Sequence, residues 1–176
     1  TLVERDEIGG GASFGNAGTI APGHPPLNKP GRIRCSLLEL LNPKSPLYIP
    51  LRWDPGLIRW LWTFRKFCTD HHLSVSMGAL APLGQASLDL FDVLVESEDL
   101  NCNYERSGYY EICRTKKGLA EVTDDAAMMR QYGYQPQEIG GDELREIEPA
   151  ILEGVVGGVY FPEAATCDPH RFVLEL

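Results

Sequence analysis

Residues 9–18 read GGGASFGNAG, and more than one kind of functional loop shares that pattern. Gly11-Ala12-Ser13-Phe14-Gly15 matches the G-x-S-x-G of a serine nucleophile elbow, while the glycine run suits a turn that brings backbone against phosphate. An elbow needs a strand ending at the serine and a helix starting directly after it. Here Arg5-Asp6-Glu7-Ile8 and Gly9-Gly10 separate the opening strand from Ser13, and Gly18, Pro22, Gly23, Pro25 and Pro26 follow, leaving little room for a helix. A Walker loop places lysine and then serine or threonine after its last glycine, and Gly15 is followed by Asn16-Ala17. The G-x-G-x-x-G fingerprint also fails inside the stretch, because counting from Gly9 and Gly11 its third glycine falls on Phe14.

What survives is the distal half of dinucleotide recognition, in which an acidic residue closing the second strand receives the ribose hydroxyls. Thr1-Leu2-Val3-Glu4 reads as the end of such a strand, with Glu4 at its edge. A carboxylate accepting ribose hydroxyls makes charge-assisted bonds. The glycines behind it let backbone approach a pyrophosphate, and the Ser13 hydroxyl and Asn16 amide can orient polar groups. A glutamate before a glycine turn is also compatible with a turn and nothing more.

The totals bound the protein class. The chain has 176 residues, 43% apolar and 23% charged, which describes a globular, non-disordered protein. Its net charge of −9, from 25 acidic and 16 basic side chains, gives no general attraction to nucleic acid, so no nucleic-acid partner is expected. Five cysteines, at 35, 68, 102, 113 and 167, contain no C-x-x-C pair, which favours free thiols in a reducing, cytoplasmic compartment. Cys68, His71 and His72 lack the further convergent ligands of a zinc site and read as a helix end with solvated histidines, so no metal is expected. Neither a signal peptide nor an uninterrupted apolar run of spanning length is visible, and a chain opening in a strand and closing in a helix just begun reads as a piece of a longer protein.

Along the chain, Arg32–Leu41 predicts a short helix stopped by Asn42-Pro43, and Pro46 and Pro50 keep the next stretch extended. Asp54 as N-cap with Pro55 at the first helical position predicts a helix to about Thr69, with Leu57, Trp60, Leu61, Phe64 and Cys68 on one face. A long amphipathic helix is expected over Met77–Glu98. Asn103–Arg106 and Gly108–Arg114 alternate as paired strands do. Helices follow at Lys117–Tyr132, closed by Gly133, and up to Glu148 with Asp142 as the cap, then a strand at Val155–Phe161 and a last helix from Asp168-Pro169. Mixed elements without a regular βαβ repeat argue for parts of an α/β nucleotide-binding domain joined to an α+β domain.

Leu2-Val3-Glu4-Arg5, then Gly11-Ala12-Ser13-Phe14-Gly15-Asn16-Ala17-Gly18 with Pro22-Gly23, resembles the second strand and flavin loop of D-amino acid dehydrogenases in the D-amino acid oxidase-like superfamily. The likeness continues through Pro46-Leu47, Trp60-Leu61-Trp62, Tyr104-Glu105-Arg106-Ser107-Gly108, Glu148-Pro149-Ala150 and Gly157-Gly158-Val159, so it covers most of the chain. It implies an α/β fold: an incomplete FAD-binding Rossmann-like domain (residues 1–50), part of an α+β substrate domain (51–165), and a return to the first domain (166–176). It implies FAD as cofactor, Glu4 holding the adenosine ribose, Arg5 against the adenine side, and Gly11, Ala12, Ser13, Asn16, Ala17 and Gly18 along the flavin. The reaction implied is oxidation of a D-amino acid to a 2-oxo acid and ammonia by hydride transfer to flavin. No acid–base residue is assigned, because none is required when the amine arrives neutral.

The family's glycine fingerprint would precede Thr1, and its later flavin-contacting segment and substrate-binding arginine are expected beyond Leu176, so this stretch alone is expected to be inactive. Tyr109, Tyr110 and His24 are the candidate substrate contacts, with packing the alternative for the tyrosines. The segment Trp53–Lys66 interleaves tryptophan with Arg59, Arg65 and Lys66, and Arg52 precedes it. It suits either a helix resting on a membrane surface or a packed helix with snorkelling cations, and the resemblance to dehydrogenases that pass electrons to a quinone implies the inner face of the cell membrane for the first. A non-catalytic binding or scaffold domain that keeps the loop for packing is the alternative to the enzyme.

Overall fold

The computed structural model describes residues 4–23, 29, 30, 43, 48 and 53–176. The expected strand before Glu4, the helix at 32–41, the extended run at 46–50 and His24 lie outside the described residues. The chain divides into two compact units, one of residues 1–24 with 81–176 and the other of residues 25–80.

In the first unit, β1 (Thr19–Ile20) pairs antiparallel with β5 (Ala165–Thr166), Thr19 opposite Thr166 and Ile20 opposite Ala165. A second sheet runs in the order β2 (Tyr109–Cys113), β4 (Gly157–Phe161), β3 (Gln137–Gly140), all antiparallel. The central strand β4 is the most buried, and Gly158 sits where an added Cβ would lie 2.4 Å from the Glu111 carbonyl oxygen. Helix α3 (Lys116–Arg130) covers this sheet, so Val122 and Ala126 close a core with Cys113, Val159 and Phe161, flanked by Tyr109 and Leu119. The short helix α4 (Gly141–Ile147) buries Leu144.

Local signals explain the helix ends. Thr115 caps α3 by accepting from the Gly118 N–H at 3.0 Å, and Gly133, at φ 89°, takes the chain out after its last turn. The last helix, α5 (Pro169–Glu175), has Pro169 in its first turn and Asp168 accepting from the N–H groups of His170 and Arg171 at 3.1 and 3.0 Å.

In the second unit, α1 (Pro55–Lys66) starts at Asp54, whose side chain accepts from the Leu57 N–H at 3.0 Å. It stops before Thr69, because the Phe67 N–H already turns back to Phe64 and α2 (Asp70–Ser97) begins at Asp70. His71 and His72 therefore stand in the first turn of α2 and not at the end of α1. By length and composition alone α2 could cross a membrane, although its longest stretch without a polar side chain is the eight residues Met77–Gly84. Within the first unit it buries Leu88, and its Asp92 accepts from Tyr104 Oη at 2.7 Å and from Arg106 Nε at 2.9 Å.

Two expectations from sequence need correction. Residues 103–106 do not pair with 108–114: β2 pairs with β4, and only Glu105 makes a bridge, to Thr166. Tyr104 and Arg106 are drawn to Asp92 on α2, and Gly108, at φ 66°, redirects the chain before β2. Asp142 is not the cap of α4. The cap lies two residues earlier, at Gly140, so the helix begins at Gly141, and Asp142 in its first turn pairs with Arg145.

The hydrogen bond from Arg106, then that from Tyr104, hold the Asp92 carboxyl below its ordinary value of 3.8. A carboxyl depressed on folding contributes stability that is complete above its unfolded pKa and is lost as pH falls through the folded value. Asp92→Asn removes that contribution, so the variant's urea midpoint is expected to fall less than wild type's between about pH 5 and about pH 2.

Candidate functional site

Glu4 to Gly18 form one continuous, mostly exposed loop built of turns. One Glu4 carboxylate oxygen, Oε1, accepts from the N–H groups of Arg5 and Asp6 at 2.6 and 3.2 Å, which curls the chain around the carboxylate and leaves Oε2 outside these bonds. Arg5 turns to Asp6 in an exposed pair at 2.9 Å. Further on, the Gly10 N–H closes on Glu7 and the Phe14 N–H on Gly11, at 3.0 and 3.2 Å. Asn16 Oδ1 accepts from the Gly18 N–H at 2.8 Å, a local turn that sets up β1.

The glycines of the loop fall into two groups. Gly9 and Gly18 are in contact: a Cβ on Gly18 would stand 1.8 Å from the Cys167 carbonyl oxygen, and one on Gly9 would stand 2.9 Å from the His170 ring. Gly11 and Gly15 would meet nothing within 4 Å, and Gly15 has φ 74°. The first group fixes the loop to the protein; the second leaves backbone open to a visiting group.

The fixing comes from the segment just before α5. The Cys167 N–H donates to the Gly18 carbonyl at 3.0 Å, extending the β1–β5 pair by one rung. The Asp168 N–H donates to the Cys102 carbonyl at 2.7 Å, and the Phe14 and His170 rings meet edge to face with centroids 5.3 Å apart. A cleft of about 630 Å³ results, lined by Phe14, Gly15, Asn16, Asn103, Thr166, Cys167, Asp168, Pro169 and His170. Burial first, then the neighbouring Cys102 and the Asp168 carboxylate, push the Cys167 thiol up, so it lines the cleft as a neutral thiol and not a nucleophilic thiolate.

Past β1, Pro22 and Gly23 are seated on a buried Tyr134, whose hydroxyl donates to the Pro22 carbonyl at 3.0 Å. A Cβ on Gly23 would press on that ring, and one on Gly84 would stand 2.8 Å from Pro22. Both ends of the stretch 9–23 are thus held by distant residues.

Ser13 is half-buried in a turn, no helix follows it, and the chain continues into β1. The elbow geometry is absent. The two tyrosines of β2 point to opposite faces. Tyr109 stacks on Phe161 with centroids 4.9 Å apart, its hydroxyl buried without a partner and its pKa raised by burial, then by Glu111 and Asp125. Tyr110 is exposed and stacks on Tyr160 at 4.6 Å. The pair therefore cannot line one pocket, and Tyr110 is the one a solute can reach. Among the described residues no group of three or more His, Cys, Asp and Glu converges as a metal site.

The model of the family described as DAO, FAD dependent oxidoreductase, matches residues 1–176. The chain belongs to this family of FAD-dependent oxidoreductases. It is 28% identical over 168 residues to a D-amino acid dehydrogenase of Vibrio vulnificus, covering 93% of this chain and 40% of that protein. It is also 28% identical over 181 residues to a D-amino acid dehydrogenase of Bradyrhizobium diazoefficiens, covering 100% of this chain and 43% of that protein. The chain thus spans about two fifths of the length of these relatives. The crystal structure of glycine oxidase from Geobacillus kaustophilus superposes on 53% of this chain and 26% of that one, with a TM-score of 0.50 at 19% identity, a likeness of fold.

The loop fits the family's cofactor on its own chemistry. Glu4 Oε2 is a carboxylate acceptor for hydroxyl groups. Among the described residues no acceptor takes the backbone N–H groups of Gly11, Ala12 or Ser13, and the open glycines expose this backbone to an approaching phosphate. Sequence reasoning missed Cys167, Asn103, His170 and Tyr134. Asp168-Pro169 was legible as a helix start, but nothing in its sequence says which loop it meets.

The two groups of glycines predict different costs. Gly15→Ala adds a side chain only to a positive φ, about 1 kcal/mol. Gly18→Ala adds the collision with Cys167 and should cost about 3 kcal/mol or more. Urea unfolding of both variants checks the order, and equal costs would show that Gly18 is not pinned.

Proposed function

We propose that the protein oxidises the CH–NH2 group of a D-amino acid to a 2-oxo acid and ammonia, with FAD as the two-electron carrier. The observation that carries the reading is the loop itself: the Glu4 carboxylate followed by unengaged N–H groups and open glycines, in a chain matched by the family along its whole length. The D-amino acid dehydrogenase relatives support the substrate class. When bound, FAD supplies the acceptor for a hydride leaving the substrate α-carbon. The imino acid so formed would be hydrolysed by water to the 2-oxo acid and ammonia, and an external acceptor, a quinone or oxygen, would take the two electrons.

The chain's own residues hold and exclude. Glu4 takes the ribose hydroxyls through its carboxylate while its Oε1 keeps the Arg5 and Asp6 N–H groups in place. Arg5 lies on the adenine side. Gly11, Ala12 and Ser13 offer backbone N–H groups, and Ser13 contributes a hydroxyl in place of a nucleophile. Asn16, Ala17 and Gly18 pass the loop into β1, so its geometry is set before anything binds. Tyr110 and His24 are the substrate-side contacts proposed, and Tyr109 supports the sheet beneath.

Expression of the complete reading frame and its visible spectrum test the proposal. A flavin band bleached anaerobically by one or more D-amino acids, with dye reduction and ammonia release, is the expected result. A purified protein with no flavin band, or a flavin that no D-amino acid reduces, would sink it.

A further inference from the structure

The unengaged N–H groups of Gly11, Ala12 and Ser13 stand on an arch of loop whose two feet are Gly9 and Phe14. Both feet meet one side chain. Gly9, at φ 73°, lies so close to the His170 imidazole that a Cβ there would stand 2.9 Å from the ring carbon Cδ2. The same Cβ would stand 3.4 Å from Val173 Cγ1, one turn further along α5. At the other foot, the Phe14 and His170 rings meet edge to face. Phe14 is 68% exposed, and among the described residues this is its one ring contact.

The imidazole that joins the feet belongs to a segment held by other groups. Asp168 accepts from the His170 and Arg171 N–H groups, its own N–H donates to the Cys102 carbonyl, and Pro169 stands in the first turn of α5. These bonds use main chain and Asp168, so the place of α5 does not depend on the His170 ring. The arch is less secure. Cys167 fixes the loop's exit at Gly18, but among the described residues the hydrogen bonds of residues 9–14 are local, from the Gly10 N–H to Glu7 and from the Phe14 N–H to Gly11. Two short-range bonds leave a glycine-rich arch free to swing, and contact with a half-buried ring at both feet removes that freedom.

We infer that His170 is a positioning residue for the cofactor: its ring braces both feet of the arch and so orders the N–H groups of Gly11, Ala12 and Ser13 before a phosphate arrives. It acts through Gly9 and Phe14 and makes no bond to the cofactor. The inference rests on the reading of residues 4–18 as the FAD loop, and it adds a residue from the far end of the chain to that site. What the role requires is a flat ring at this place, and phenylalanine supplies one.

The test is titration of FAD, by flavin fluorescence, into apoprotein from the complete reading frame. Wild type is compared with His170→Ala, His170→Phe, Phe14→Ala and the double variant His170→Ala/Phe14→Ala. His170→Ala is expected to raise the dissociation constant about tenfold, the effect of leaving on the order of one backbone residue to be ordered by the ligand, with an unchanged melting temperature. His170→Phe should restore most of the affinity. Because Phe14 and His170 act through one contact, the double variant should bind about as His170→Ala does, short of the sum of the two losses. In the apoprotein without FAD, a glutamyl endopeptidase should cut between Glu7 and Ile8 faster in His170→Ala than in wild type or His170→Phe.

A wild type that binds FAD, with a constant unchanged in His170→Ala, would overturn the inference and leave the cofactor loop standing. Losses that add in the double variant, or that His170→Phe fails to reverse, would mean that the imidazole meets the cofactor itself, and they overturn the inference too. A lowered melting temperature in His170→Ala with cleavage at Glu7 unchanged would reduce the ring to a support for α5. A wild type with no affinity for FAD would remove the cofactor reading and this inference together.

Discussion

The contact between Gly18 and Cys167 organises the functional loop. Gly18, at φ 70°, brings its backbone so close to the Cys167 carbonyl that no side chain fits, and the Cys167 N–H completes the approach with a hydrogen bond of 3.0 Å. The two residues are far apart in sequence, and joining them converts a turn-rich, polar stretch into a fixed one. A loop with so many glycines has high conformational entropy when free, and a binding loop that must be ordered by its ligand loses affinity in doing so. Holding it by β1–β5 at one end and by Tyr134 under Pro22-Gly23 moves that ordering into the fold.

The same contact explains why one run of glycines reads ambiguously. Elbow, phosphate cradle and dinucleotide turn all call for glycine, and composition does not say which glycine is pressed and which is open. The structure separates them: Gly9 and Gly18 meet Cys167 and His170, while Gly11 and Gly15 face empty space beside unengaged N–H groups. What excludes the serine hydrolase was already legible, since Pro22, Pro25 and Pro26 deny Ser13 its helix, and the chain goes into β1 instead. The match of the whole chain to an FAD-dependent family accords with the resemblance carried by Glu4 and the S-x-x-N-A-G segment.

Elements set by local chemistry were read well. Asp54-Pro55 and Asp168-Pro169 each place a side-chain acceptor over the first turn, and helices start there, whereas the Thr115 cap of α3 was not read from the sequence. Elements set by partners were not. β1 and β5 are two residues each and exist only because they meet, and β3 (QEIG) carries no strand periodicity of its own. Tyrosine-rich alternation at 103–114 suggested a hairpin, but the side chains of Tyr104 and Arg106 satisfy Asp92 on a helix, and β2 finds a glycine-rich partner whose lack of side chains permits close approach. Strand identity was visible; pairing depended on residues about fifty positions away. The same limit applies to Tyr109 and Tyr110, which strand geometry sends to opposite faces although they are neighbours.

The account stands on residues 4–18 being a cofactor loop, and one measurement addresses it most directly: the FAD dissociation constant of Glu4→Gln, titrated by flavin fluorescence on apoprotein from the complete reading frame. Glu4 is exposed, so its replacement leaves the fold intact, and loss of a charge-assisted bond of about 1.5–3 kcal/mol predicts a constant raised about tenfold or more. A constant unchanged from wild type, with circular dichroism also unchanged, would contradict the assignment of this loop to the cofactor.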